Sequence, residues 1–240
     1  MIFNRGVTYA GYLGVLTGVR LVLPLEVNVF MNMSGEGLLV SFNCRAWMKS
    51  ESSLFQNRIH HLQLLLGQKP SIATELRQVL LSPHPVPSLE ELASKFKTMK
   101  TSSCYLIFCS PSEVLVMEKD LKSAVVRTSK EFLSITNHDE DMEAWSHEYW
   151  QEMLAKERFL EVSGARGIVE ESVDRKECIC ELWKLKGVEP VTVGDIKLWL
   201  RKHPIRNELT HFSCIMDPSV EGGGLVWVES CELRKSLQFL

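Results

Sequence analysis

The stretch CYLIFCSPSEVLVMEKDLKSAVVRTSKEFLSITN, Cys104 to Asn137, decides how this chain folds. It contains the runs CYLIFCS (104–110), EVLVMEK (113–119), SAVVRT (123–128) and FLSITN (132–137), all rich in β-branched and aromatic residues. Turn formers such as Pro111-Ser112 and Asp120 separate them. Short β-rich runs with tight connections predict a meander of antiparallel strands.

Helical spacing precedes the meander. Apolar residues recur at Phe55, Ile59, Leu62 and Leu66, which predicts a helix over 55–66 ended by Gly67. Ser71 is placed to cap a second helix, 72–81, with Ile72, Leu76, Val79 and Leu80 on one side. The stiff PHPVP connector (83–87) follows, and Ser88 with Glu91 reads as a capping box for 89–99. Leu89, Leu92 and Phe96 would face the core there.

Further out, Val7 to Phe42 reads as strand, apolar and broken by Gly and Pro. After the meander, helices are expected over 141–156, 168–183 and 193–202, the last capped by Thr192. HFSCIMD (211–217) and LVWVES (225–230), joined by PSVEGGG, predict a closing hairpin. The order strands, helices, strands, helices, strands indicates an α+β fold with helices on antiparallel sheets. No repeat or linker divides residues 1–240, so a single domain is expected.

Composition narrows the function classes. The 240 residues are 45% hydrophobic and 24% charged, with a formal net charge of -3. That balance argues against nucleic acid as partner, since phosphate binding needs a basic face. The uncharged run 6–19 contains four glycines, poor for a signal core and too short to span a bilayer, so it reads as a buried strand pair. Seven cysteines form no regular framework and most read as buried or idle thiols of a reducing compartment, with room for one disulfide. Cys178-Ile179-Cys180 lacks metal-ligand spacing and no second pair matches it, so no metal is expected. His60 and His61 are adjacent, so a helix points them apart, and both read as surface or edge residues. No phosphate-binding glycine loop, H-E-x-x-H or G-x-S-x-G is present.

Four ordered segments resemble the acid ceramidases and N-acylethanolamine acid amidases, which are N-terminal-nucleophile hydrolases. AGYLGVLTG (10–18) is similar to that family's A-G-Y-x-G-x-L-T-G strand pair. Ser41-Phe42-Asn43-Cys44-Arg45 resembles its L-N-E-R turn, with Cys44 at the acidic position. Ile135-Thr136-Asn137-His138-Asp139, followed by Trp145, resembles T-N-Y-D-x-W, and Asp174-Arg175-Lys176 resembles D-R-R. The tail VTVGDIKLWLRKHPIRNELTHFSCIMD (191–217) resembles the family's final helix, K-P-V-x-N loop and last strand.

The resemblance implies an αββα sandwich, antiparallel sheets between helix layers, lacking its N-terminal part. It implies hydrolysis of a linear fatty amide, of N-acylsphingosine or N-acylethanolamine type, without a cofactor. In such chemistry a chain-terminal thiol attacks the amide carbonyl, the free α-amino group serves as base, and amide donors hold the oxyanion. Carried over residue by residue, Asn137 becomes the oxyanion or positioning amide and Arg175 its supporting cation. Asn43, Arg45 and Asp139 line the substrate side, Asp139 orienting its loop. Bland readings stand beside these. Asn before Asp is a common turn, and Arg175 has Glu170, Glu171 and Asp174 on its own helix as partners.

The family's nucleophilic Cys and following G-R-N-x-D segment have no counterpart before Ala10, where Thr8 is the one aliphatic hydroxyl. The family's N-terminal subunit has none either. The resemblance therefore implies a chain truncated before its nucleophile and inactive as it stands. The alternative is a non-catalytic relative that binds a lipid amide or a partner protein. Residues 19–42 are longer than the family's connection and read as an ill-fitting insert. The family is lysosomal, whereas the cysteines here read as intracellular, so the compartment stays open.

Overall fold

The computed structural model of the chain describes residues 7–8, 29–31, 37–45, 52–81, 85–156, 165–207, 210, 212–220 and 225–230. The AGYLGVLTG segment lies outside them. In chain order the elements are β1 (Val7–Thr8), β2 (Val29–Met31), β3 (Leu38–Cys44), α1 (Leu54–Leu65), α2 (Ile72–Leu81) and α3 (Leu89–Thr98). Then come β4 (Cys104–Cys109), β5 (Val114–Lys119), β6 (Ala124–Ser129), a 3-10 turn (Glu140–Ala144) and α4 (His147–Lys156). The chain continues through α5 (Ala165–Lys186), α6 (Val193–Arg201), β7 (Phe212–Met216) and β8 (Leu225–Ser230).

Two antiparallel sheets result, one in the order β2-β3-β4-β5-β6 and one in the order β1-β7-β8. Because side chains alternate along a strand, each face of the larger sheet collects every second residue. One face presents Leu38, Val40, Leu106, Phe108, Leu115 and Met117, which pack on Leu76, Leu80, Leu92 and Phe96 of α2 and α3. The opposite face presents Leu39, Ile107, Val114 and Val116, which meet Cys214 and Met216 of the smaller sheet. The outer side of that smaller sheet, Ile215 and Trp227, packs on Ile196 and Leu200 of α6 and on Ile179 and Leu182 of α5. Helix, sheet, sheet and helix therefore stack as layers, the α+β sandwich that the alternating and helical patterns imply.

Local signals explain several boundaries. Ser88 and Glu91 form the expected capping box, and so do Thr192 and Asp195. Gly187, at φ 60, ends α5 in the left-handed conformation that glycine adopts without a Cβ penalty. Gly37 is required for a different reason. A Cβ there would stand 1.9 Å from the Pro218 carbonyl oxygen, so the entry to β3 passes against the backbone that follows β7.

The structure departs from expectation at several places. Within 19–42, the described residues join the larger sheet as β2 and most of β3, with Leu38, Leu39 and Val40 buried. FLSITN forms no ladder. Leu133 and Ile135 pack into the inter-sheet core, Phe132 stacks on Trp183 of α5, and Ser134 Oγ meets Cys180 Sγ at 3.4 Å. Tertiary packing here overrides strand propensity. The helix expected over 141–156 breaks at Trp145, whose ψ of 140 is extended, and Ser146 recaps the chain through the Tyr149 N–H. The α1 stripe of Phe55, Ile59, Leu62 and Leu66 is exposed. His60 is buried instead, at 4% exposure, and neither ring nitrogen has a partner among the described residues. Burial lowers its pKa, with help from His61, Lys69 and Lys119, so consecutive residues of one helix end in opposite environments. Among the described residues, no helix is long and apolar enough to cross a membrane.

Candidate functional site

The sheet face that is apolar at Leu39, Ile107 and Val116 turns polar toward its other end. Two residues on from Ile107 and Val116 stand Tyr105 and Glu118, paired with each other in register. Tyr105 is in turn opposite Asn43 of β3. The side chain of Asn43 lies outside what the structure describes; its backbone places it in this row.

Arg45 follows directly after β3 and reaches the segment after β6. Its Nε donates to Asp139 Oδ1 at 2.6 Å and its Nη2 to Asp139 Oδ2 at 2.5 Å. This is the bidentate fork-to-carboxylate geometry that arginine favours. Tyr105 donates its hydroxyl to Asp139 Oδ1 at 2.9 Å, so one carboxylate holds three donors. Burial pushes the Tyr105 hydroxyl well above its ordinary pKa, and the Asp139 charge adds to that. Burial works against the Arg45 charge, yet bonding to Asp139 prevails and Arg45 is held above its usual value. Beside them Arg127 Nη2 donates to Glu118 Oε1 at 2.7 Å, and that oxygen also accepts the Glu140 N–H at 3.0 Å. Burial raises the Glu118 carboxyl despite Arg127.

Two residues before Asp139 in the chain stands Asn137, bound to α5. Arg175 Nη2 donates to Asn137 Oδ1 at 2.9 Å. Arg175 Nη1 donates to Glu171 Oε2 at 3.3 Å, one helical turn earlier, and Asn207 Nδ2 donates to that same oxygen at 2.5 Å. Both readings of Arg175 therefore meet in one side chain, which pairs along its own helix and reaches across to Asn137. A guanidinium has donors only, so it can face only the oxygen of the Asn137 amide. The orientation of the amide is thereby fixed, with Oδ1 toward Arg175 and Nδ2 as its donor end. Ser172 Oγ accepts the Asn137 backbone N–H at 2.6 Å and lies 2.8 Å from His138 Nδ1. Burial drives the His138 pKa down to about 4, with Lys176, Arg175 and Arg127 adding to the effect.

The structure thus brings the sequence-selected residues together as two linked pairs, Asn137 with Arg175 and Arg45 with Asp139. Sequence reasoning picked out Glu171 as a helix partner of Arg175 and missed Tyr105, Ser172 and the role of His138. Tyr105 was within reach, as the one hydroxyl in the fully buried run CYLIFC of β4. Asn207 sits in the K-P-V-x-N-like loop, so its position carried a signal. Ser172 carried none. Of the described cysteines, Cys104, Cys109 and Cys214 are buried. Burial pushes the Cys109 thiol up to about 12, the opposite of what a nucleophile needs. Cys178 and Cys180 are half-buried on α5. Among the described residues no cluster of three or more ligand-type side chains could hold a metal ion.

Comparison with protein-family models and with curated protein sequences yields no match. Among solved structures, the chain is similar to the Caenorhabditis elegans ortholog of N-acylethanolamine-hydrolyzing acid amidase. The TM-score is 0.57 at 17% identity, over 94% of this chain and 87% of that one. The likeness is one of fold.

Proposed function

We propose that this chain binds a linear fatty amide, of N-acylethanolamine or N-acylsphingosine type, with the amide carbonyl on Asn137. The observation that carries the reading is the Arg175 to Asn137 hydrogen bond, which fixes which end of the Asn137 amide is the acceptor and which the donor. A fixed amide donor of this kind suits a carbonyl oxygen that gains negative charge. The supporting chain from Asn207 through Glu171 to Arg175 holds that donor from behind. Arg45 and Asp139 brace the segment on which Asn137 sits, and Asn43 stands in the neighbouring strand position. The fold likeness to an acid amidase and the four ordered sequence segments favour the same substrate class.

Hydrolysis would need an accessible thiol beside a base, and Cys104, which stands opposite Lys119, is buried, as are Cys109 and Cys214. The reading is therefore of binding without turnover. It is tested by titrating the chain with a fluorescent long-chain fatty amide and, separately, with a fluorogenic one. Saturable binding is expected, weakened about tenfold in Asn137→Ala, which corresponds to one hydrogen bond of about 1.4 kcal/mol. No release of fluorophore above background is expected. Absent binding would overturn the proposal, and hydrolysis that disappears in Asn137→Ala would overturn its non-catalytic part.

A further inference from the structure

We propose that Ser172 and His138 form a strut that positions Asn137 through its backbone, and that the strut holds only while the His138 ring is neutral. The functional meaning of this inference rests on Asn137 being the carbonyl donor; the strut itself does not.

The geometry is that of a short relay. Ser172 Oγ accepts the Asn137 N–H at 2.6 Å and stands 2.8 Å from His138 Nδ1. Thr136 Oγ1 is also 3.2 Å from that nitrogen. Ser172 is 0% exposed and His138 1% exposed. A serine hydroxyl that takes an N–H on one lone pair has its proton to give away. A neutral ring protonated on Nε2 offers Nδ1 as the acceptor for it. Each bond then polarises the next, in a site shielded from water.

Protonation reverses this. Nδ1 becomes a donor, so the serine oxygen faces two donors and its own proton loses its acceptor. The surroundings oppose the added charge. Arg127 comes from β6, and Arg175 and Lys176 from α5. The carboxylates nearby are already engaged: Glu118 and Glu140 with Arg127, Glu171 with Arg175, Glu143 with Lys176, and Asp139 with Arg45. From α4 Trp150 meets the ring edge to face at 5.6 Å. His138 and Ser172 are thus positioning residues that act through Asn137.

Two-dimensional amide NMR of the full chain tests this without any substrate. At neutral pH the Asn137 N–H is expected at low field. It should move upfield in Ser172→Ala and stay at low field in His138→Asn, whose Oδ1 can replace Nδ1 as acceptor. On acidification the wild-type Asn137 amide should shift with the ring protons of His138, with a midpoint near 4. It should stay flat in His138→Asn. An Asn137 amide identical in wild type and Ser172→Ala, or one that ignores the titration of His138, would overturn the strut. The neutral-pH comparison stands even if a variant unfolds in acid. Failure of fatty-amide binding would remove the reading of Asn137 and leave the strut in place.

Discussion

The sheet face that looks across to β7 has two halves of opposite character. One half, around Leu39, Ile107, Val114 and Val116, is closed by apolar contact with Cys214 and Met216. The other half carries Tyr105 and Glu118, with Arg45, Arg127 and Asp139 held against them. The apolar half gains from every atom removed from water. The polar half gains only if each buried charge finds its partner, because an unpaired one is costly to bury. The same strands therefore serve two ends. One half holds the layers together, and the other holds the segment with Asn137 in a defined place.

The contrast predicts different responses to truncation. Asp139→Ala leaves the Arg45 charge buried and unpaired, and should cost about 3–5 kcal/mol in urea unfolding. Replacing Arg45, Asp139 and Tyr105 together with Met, Leu and Phe should recover much of that stability and abolish fatty-amide binding. A triple variant no more stable than Asp139→Ala would contradict the division. In the apolar half, Ile107→Ala should cost about 2–5 kcal/mol, and Ile107→Val only about 1 kcal/mol, a graded response that buried ions do not give.

Acid should act on the polar half through His138, as it should on α1 through the buried His60. The folded pKa of His138 is about 4, below the ordinary value of 6.5. Between those values the unfolded chain binds the proton that the folded one refuses, so stability falls as pH drops from about 6.5 toward 4. The loss approaches an order of about 3 kcal/mol and should shrink in His138→Asn, read as the pH dependence of the urea midpoint. Gly37→Ala tests a point that belongs to both sheets. Its Cβ would collide with the Pro218 backbone, and a cost of about 1–3 kcal/mol is expected in thermal unfolding. Ser88→Ala, outside both halves, removes one cap and should cost about 1 kcal/mol.

These differences also explain what could be read from the sequence. The helices α2 and α3 show their period openly because each meets one apolar surface, and β4 and β5 read as short apolar runs because both their faces are buried. FLSITN misled because its β-branched residues serve an irregular segment held by side chains from α5 and the inter-sheet core. The single helix expected over 141–156 failed at one residue, Trp145, where no proline or glycine marks the break. At the site, Asn137, Arg175, Arg45 and Asp139 came from short segments whose order resembled a family. Glu171 was legible from its spacing to Arg175, whereas Ser172 lies on a polar helix where serine is ordinary, and only three-dimensional proximity singles it out.

The aromatic corner beside His138 has an optical consequence. Trp150 lies against the imidazole, and Trp145 lies 5.1 Å from Trp150. A protonated imidazole withdraws electron density from an excited indole and quenches its emission far better than a neutral one. The chain thus carries its own lamp at this corner, and its ultraviolet fluorescence should dim as His138 takes up its proton. A Trp150→Phe variant would remove most of that dimming and identify its source. The protonation state of the residue behind Asn137 can then be followed by light alone, in unlabelled protein.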